Sequence, residues 1–228
     1  MAVNVINIID SLIDSIRETA AISSITHVGT VYTILTADTG QLVAGDYVTI
    51  TGVTYKIDSV TTNVNFTVTS TSAVVGSTWK AAAPYYFYGT AIQISNTLDK
   101  IKDDYYKYPA IVLMETMPAR VNDDPMASIE RVVSLDMFFV DRAKYSNWSS
   151  DEYYTYVIDK MQAYIDSFID ECEDSSLVSL PDNHRETPHS KWNLVRLDSG
   201  KNVFNAELSG IQLEIDLNFF KGFECEDE

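Results

Sequence analysis

Two pairs of adjacent carboxylates, Asp103-Asp104 and Asp123-Asp124, are the first residues in this 228-residue chain that could do chemistry. Neighbouring acids divide general-acid and general-base work when their surroundings push their pKa values apart. Neither pair lies in an apolar stretch that would do so, and in a chain with 33 Asp and Glu such pairs arise from composition alone. His184 and His189 bracket Arg185, Glu186 and Pro188, a spacing that without a cysteine partner does not follow a metal-ligand pattern. Ser149, Ser150 and Ser190 stand outside any nucleophile-elbow context. Gly40, Gly45 and Gly52 read as turn glycines, with no following Lys-Ser and no helix to cradle a phosphate. The expectation is a protein with no catalytic residues, no metal and no cofactor.

What remains is surface. The 14 tyrosines include two clusters, Tyr105, Tyr106 and Tyr108, and Tyr153, Tyr154 and Tyr156. Lacking interleaved Lys or Arg, they suit core or subunit contact better than base stacking. The formal charge is -17, and residues 28–88 account for only -1 of it, so the acids concentrate outside that segment. Such a surface repels phosphate backbones and excludes sequestering nucleic acid, while acidic walls would let DNA slide past without sticking. Cys172 and Cys225 are too few for a disulfide framework and read as free thiols of a reducing compartment. Asp10, Asp14, Arg17 and Glu18 interrupt the first 25 residues at helical spacing, unlike a signal sequence, and no run reaches the roughly 20 apolar residues of a membrane span.

The elements that must position these residues follow from periodicity. Val5, Ile6, Ile9, Leu12, Ile13, Ile16 and Ala20 mark one helix, and Ala91, Ile94, Leu98, Ile101 and Tyr105 a second that runs toward Pro109. Between them, Val48 and Ile50 alternate with Thr49 and Thr51, and Phe66 and Val68 with Thr67 and Thr69, as in short half-buried strands of an inserted β-domain. Residues 110–117 predict a buried strand, 118–125 a loop, and 128–140 a long strand with Arg131 as the exception on its apolar face. Ser149 and Glu152 form a capping box for a third helix whose core face is Tyr154, Val157, Ile158, Met161, Ile165, Phe168 and Cys172. Its other face is acidic. Residues 175–191 predict a long polar loop, 192–197 and 203–208 strands, and Ile211, Leu213, Ile215, Leu217 and Phe219 a regular closing strand with one wet face.

This order is α+β, with helices packed on one face of a mixed or antiparallel sheet. Residues 1–26 and 89–228 form the main domain, and residues 27–88 the inserted all-β barrel or sandwich.

Within the insertion, Leu42, Gly45, Asp46, Val48, Ile50, Gly52, Tyr55, Ile57, Val60, Phe66 and Val68 match a Gly-Leu-x-x-Gly-Asp-x-Val-x-Ile-x-Gly stretch and the two strands after it. The segment thereby resembles a module that recurs in tailed-phage virion proteins, although Lys56-Ile57 lies closer to the Gly52 turn than in longer versions. The rest resembles tail-terminator and neck-ring proteins in element order: an N-terminal helix, a strand after Tyr108-Pro109, a long strand ending Phe138-Phe139-Val140-Asp141, one long helix, and a closing strand ending Phe219-Phe220. The insertion after the first helix departs from that family.

The resemblance implies a structural virion protein, a homo-oligomeric ring of six or twelve copies in the tail or neck, made in the host cytoplasm. Its partners would be portal or connector and tail-tube proteins, and double-stranded DNA passing without specific binding, with no membrane. Asp159, Asp166, Asp170 and Glu171 would line the DNA channel, and Tyr105, Tyr106, Tyr108, Glu214, Asp216 and Asn218 would make subunit contacts. Two rival expectations are a carbohydrate- or host-surface-binding protein, using Trp79 and Tyr85 to Tyr88 of the insertion, and a hydrolase using the Asp pairs.

Overall fold

The computed structural model describes residues 5–39, 42–101, 107–114, 119–121, 129–143, 149–180, 184–195, 200, 202–204 and 207–220. The chain is mixed α/β with two curled sheets. It divides into two compact units, one of Met1–Ile16, Tyr86–Lys100 and Pro109–Glu228, the other of Arg17–Tyr85 and Ile101–Tyr108.

In the second unit, β1 (Thr19–Ala21), β2 (Ser24–Val28), β3 (Val31–Leu35), β4 (Tyr47–Ile50), β5 (Val53–Thr61), β6 (Asn65–Thr69) and β7 (Thr78–Ala81) form an antiparallel sheet in the order β1-β7-β4-β5-β6-β3-β2. The two edge strands are consecutive in the chain. Ile22 and Ser23 join them, their amides donating to the carbonyls of Ser77 and Leu35 at 2.8 Å. Alternation fills the core as the sequence predicts at Val48, Ile50, Phe66 and Val68, and Ile34 and Trp79 join them there. The buried Trp79 indole donates to Thr36 Oγ1 at 3.2 Å, which satisfies its one polar atom. The β4–β5 turn has positive φ at Thr51 (49°) and Gly52 (78°), the two-residue geometry whose twist matches the strands it joins. Glycine takes that backbone freely. The β-branched Thr51 does not, and its hydroxyl is held by a hydrogen bond to the Val75 carbonyl at 2.8 Å.

The first unit contains α1 (Val5–Ser15), β8 (Tyr85–Gly89, shared at its first residue with the other unit), α2 (Ala91–Leu98), β9 (Ala110–Met114), β10 (Ala119–Val121), β11 (Ile129–Arg142), a helical segment of α3 (Ser150–Tyr153), a π-helical stretch (Tyr154–Ile158) and α4 (Asp159–Asp174), then β12 (Val178–Ser179), β13 (His184–Trp192) and β14 (Leu208–Phe220). The sheet runs β12-β14-β11-β9-β8, with β10 on β11 and β13 on β14. Its centre is the thirteen-residue β14 paired in register with β11, Leu135 opposite Ile215 and Met137 opposite Leu213. One core joins Ile9, Leu12 and Ile13 of α1, Met161, Ile165, Phe168 and Cys172 of α4, and the inward residues of β9, β11 and β14.

The structure corrects several expectations. The first helix stops at Ser15, and Ala20 belongs to β1, because the Glu18 carbonyl accepts from Ala81 at 2.7 Å and the following residues are taken by β7. Sheet pairing overrides the helical period there. The second helix ends at Leu98; Tyr105 lies outside the described residues. The predicted loop at 118–125 contains β10, paired with β11 from Ala119↔Val133 to Val121↔Arg131. The predicted loop at 175–191 holds β12 and most of β13, whose polar residues reflect a strand at the sheet margin. Where strands were predicted at 192–197 and 203–208, the described residues show β13 ending at Trp192, a lone bridge between Val195 and Asn202, and β14 beginning at Leu208.

Candidate functional site

The predicted wet face of the closing strand is the place where polar side chains converge. Ile211, Leu213, Ile215, Leu217 and Phe219 enter the core, which leaves Gln212, Glu214, Asp216 and Asn218 on the opposite face of β14. Register then sets their neighbours: Asp136 of β11 lies across from Glu214, and Arg185 of β13 pairs with Glu214 from the other side. The Gln212 amide donates to Asp136 Oδ1 at 2.7 Å and to Glu214 Oε1 at 3.2 Å, so two carboxylates share one amide. Gln212 Oε1 is thereby turned to His189 Nε2 at 2.9 Å, which makes that ring nitrogen the donor. Arg185 reaches Glu214 at 3.8 Å with most of its side chain in solvent, a pair worth little by itself.

Burial pushes the Asp136 carboxyl above the ordinary range, and Glu214 adds to this, while the Gln212 hydrogen bond and His189 oppose it. The array presents hydrogen-bonding groups on the outer face of β14. It holds no nucleophile paired with a base, and no group of three metal-capable side chains occurs among the described residues. The two histidines, five positions apart on β13, fall on opposite faces of the strand. His184 turns to Glu186 at 3.1 Å instead.

The second predicted surface is the outer face of α4. Its buried stripe is Met161, Ile165, Phe168 and Cys172, and Asp159, Asp166 and Asp170 are exposed on the far side, with Glu171 half-buried beside them. The capping box predicted ahead of this helix forms, with Ser149 Oγ accepting from the Glu152 amide at 3.3 Å and Glu152 Oε2 accepting from the Ser149 amide at 2.8 Å. The π-helical stretch was not foreseen. It rephases the apolar stripe, so that Tyr153 packs on the core while Tyr154, predicted inside, is 55% exposed. Lys160 leaves the acidic face to bind Asp141 of β11 at 3.0 Å.

Of the other predicted contact residues, Tyr108 is only 5% exposed and is unavailable to a second subunit; Tyr105 and Tyr106 lie outside the described residues, as do Asp103, Asp104, Asp123, Asp124 and Cys225. Glu214 and Asp216 are exposed, and Asn218 is half-buried with its amide 3.5 Å from Ser179 Oγ. Sequence reasoning missed Asp136, Gln212, Arg185 and His189 as one array, because only the β11–β14–β13 register brings them together. The unit also holds a mainly apolar cleft of about 560 Å³ lined by Ile6, Tyr86, Phe87, Tyr88, Ile94 and Leu113.

No family model, curated protein or solved structure matches this chain. No helix among the described residues is long and apolar enough to cross a membrane.

Proposed function

We propose that this chain is a structural subunit of a tailed-phage virion, a ring-forming tail terminator or neck protein that joins the portal side to the tail and lines a DNA conduit. In this reading α1 and α4 layer on one face of the β11–β14 sheet and the other unit is a closed small barrel, its edge strands joined through Ile22 and Ser23. It has no catalytic role. One observation carries the reading: α4 turns Asp159, Asp166 and Asp170 to solvent along one stripe, directly away from its buried stripe. A like-charged wall repels the phosphate backbone and gives passing DNA nothing to bind. The rival carbohydrate reading loses Trp79, which is 1% exposed, and keeps the exposed Tyr88 of the Tyr85–Tyr88 run.

Electron micrographs of the purified chain, with light scattering in solution, test the proposal. Rings with a central hole are expected, alone or on addition of portal and tail-tube proteins. A chain that stays monomeric in every mixture overturns it. In a ring, Asp159, Asp166 and Asp170 changed together to Lys should make the assembly retain double-stranded DNA at low salt.

A further inference from the structure

The apolar cleft of the first unit, about 560 Å³, lies within the range of about 300–1,000 Å³ typical of small-molecule sites, and every residue that lines it belongs to that unit. Tyr86 and Tyr88 stand two apart on β8 and so share one face of the strand, with ring centroids 5.5 Å apart, which gives the cleft an aromatic wall. Ile6 of α1, Ile94 of α2 and Leu113 of β9 add aliphatic surface. Among the described residues no charged side chain lines it. A charged ligand would lose its hydration there with nothing to offset the loss.

Two polar groups at the cleft fix what a ligand must offer. The Tyr86 hydroxyl is shut off from water and has no hydrogen-bond partner, unlike the buried Trp79 indole and the buried Ser209 hydroxyl, which are both paired. Burial, with Asp10 and Tyr88 nearby, holds the pKa of this phenol well above its ordinary value, so it keeps its proton and acts as a donor. Its ring borders the open volume, and a turn of the side chain carries the hydroxyl to an acceptor placed in the cleft. The second group is Gln93 of α2. Its Oε1 accepts from the Thr90 amide at 2.8 Å and from Thr90 Oγ1 at 3.0 Å, which fixes the side-chain amide in the capping box and leaves its NH2 group uncommitted. Thr97, the other polar side chain of the lining, donates to the Gln93 carbonyl at 3.0 Å. The cleft therefore holds two donors in want of acceptors.

We infer that this cleft binds an uncharged, largely apolar molecule bearing carbonyl or ether oxygen, with its apolar body against Tyr86, Tyr88, Ile94 and Leu113 and its oxygen accepting from the Tyr86 hydroxyl and the Gln93 amide. Such a ligand satisfies the one buried hydroxyl that the described residues leave unpaired. The inference stands apart from the ring reading, since no part of it needs a second copy.

Fluorescence titration of the full chain tests it with two probes: prodan, an uncharged naphthalene bearing one ketone whose emission moves to the blue in apolar surroundings, and anilinonaphthalene sulfonate, its anionic counterpart. Saturable binding of about one prodan per chain is expected, at least about tenfold tighter than the sulfonate. Tyr86→Phe keeps the ring and removes the donor, and should weaken prodan at least about threefold. Gln93→Glu keeps an acceptor for Thr90 in the capping box while replacing the NH2 group, and should weaken prodan as well. Thr97→Trp fills the cleft from an exposed position and should abolish saturable binding. Circular dichroism identifies a variant that fails to fold; Tyr86→Phe, which removes only an unpaired hydroxyl, then decides without it. No saturable binding by the full chain, sulfonate bound as tightly as prodan, prodan affinity unchanged in Tyr86→Phe, or binding unchanged in a folded Thr97→Trp chain would each overturn the inference.

Discussion

Replacing Gly210 with Ala should destabilise the first unit far more than an exposed glycine replacement would. Gly210 lies in β14 between Val140 of β11 and His189 of β13, and a Cβ there would collide with the Phe139 carbonyl oxygen and lie 2.8 Å from the Phe139 carbonyl carbon and the Val140 Cα. These are backbone atoms, so no side chain can swing aside. The ladder must part. Overpacking costs about 1–3 kcal/mol, and each strained or lost ladder hydrogen bond about 1 kcal/mol more, which gives about 2–4 kcal/mol in all. For a chain of this size the midpoint should fall by about 4–15 °C in a thermal melt followed by far-ultraviolet circular dichroism. Gly29→Ala is the comparison: it has nothing within 4 Å, and only its positive φ of 61° is strained, so about 1 kcal/mol is expected. A Gly210→Ala protein within about 0.5 kcal/mol of the parent would refute the steric argument and, with it, the β13–β14–β11 register that assembles the polar array.

Asp136→Asn should raise stability at neutral pH by a few tenths of a kcal/mol, because it removes a charge whose desolvation lifts its pKa while keeping an acceptor for Gln212; its half-open setting keeps the effect small. The sign is specific: the folded form binds the proton more tightly than the unfolded one, so this group's contribution improves as pH falls toward the mid-acid range, and denaturant titrations of the Asn variant should lack that component. Cys172 is fully buried, and burial with Glu171 and Glu173 pushes its thiol up to about 12, so in a Cys225→Ser background a disulfide reagent at pH 8 should label it only after unfolding. Prompt labelling would contradict the packing of α4. Lys160→Met should cost about 1–2 kcal/mol by leaving the mostly buried Asp141 carboxylate with the Arg142 amide but without its Lys160 cation, and a double-mutant cycle with Asp141→Asn should show a coupling of at least about 0.5 kcal/mol.

Elements whose own residues fix them were legible in the sequence. The alternation of β14, the β11 stripe, the Ser149–Glu152 box and the buried Val48, Ile50, Phe66 and Val68 each come from a local period that packing reinforces. β13 was not legible, because Arg185, Glu186, Pro188, Ser190 and Lys191 have neither strand propensity nor an apolar face, and only the long backbone edge of β14 makes them a strand. The end of α1 was misread for the same reason, since Ala20 continues a helical period while its backbone pairs with Trp79. At the site, Glu214, Asp216 and Asn218 could be found from strand parity. Gln212 follows from the same parity, whereas Asp136, Arg185 and His189 could be joined to them only by register, which no single strand encodes.

Asp159 lies in the first turn of α4, where a helix favours an acid, but the other acids of α4 are not placed where the helix itself would want them. Glu171, Glu173 and Asp174 fall at its C-terminal end, which has no basic residue in the last turn, and they face the negative pole of the helix at about 0.3–1 kcal/mol each. Asp166 and Asp170 stand one turn apart with like charge, and Gln162 donates to Asp166 at 3.1 Å. Burial of Met161, Ile165, Phe168 and Cys172 offsets these penalties, because each large apolar side chain removed from water contributes about 1.5–3 kcal/mol. The helix therefore folds by its inner stripe and tolerates its outer one. Local stability gives a reason for Asp159 alone and none for Asp166, Asp170 and the acids of the last turn.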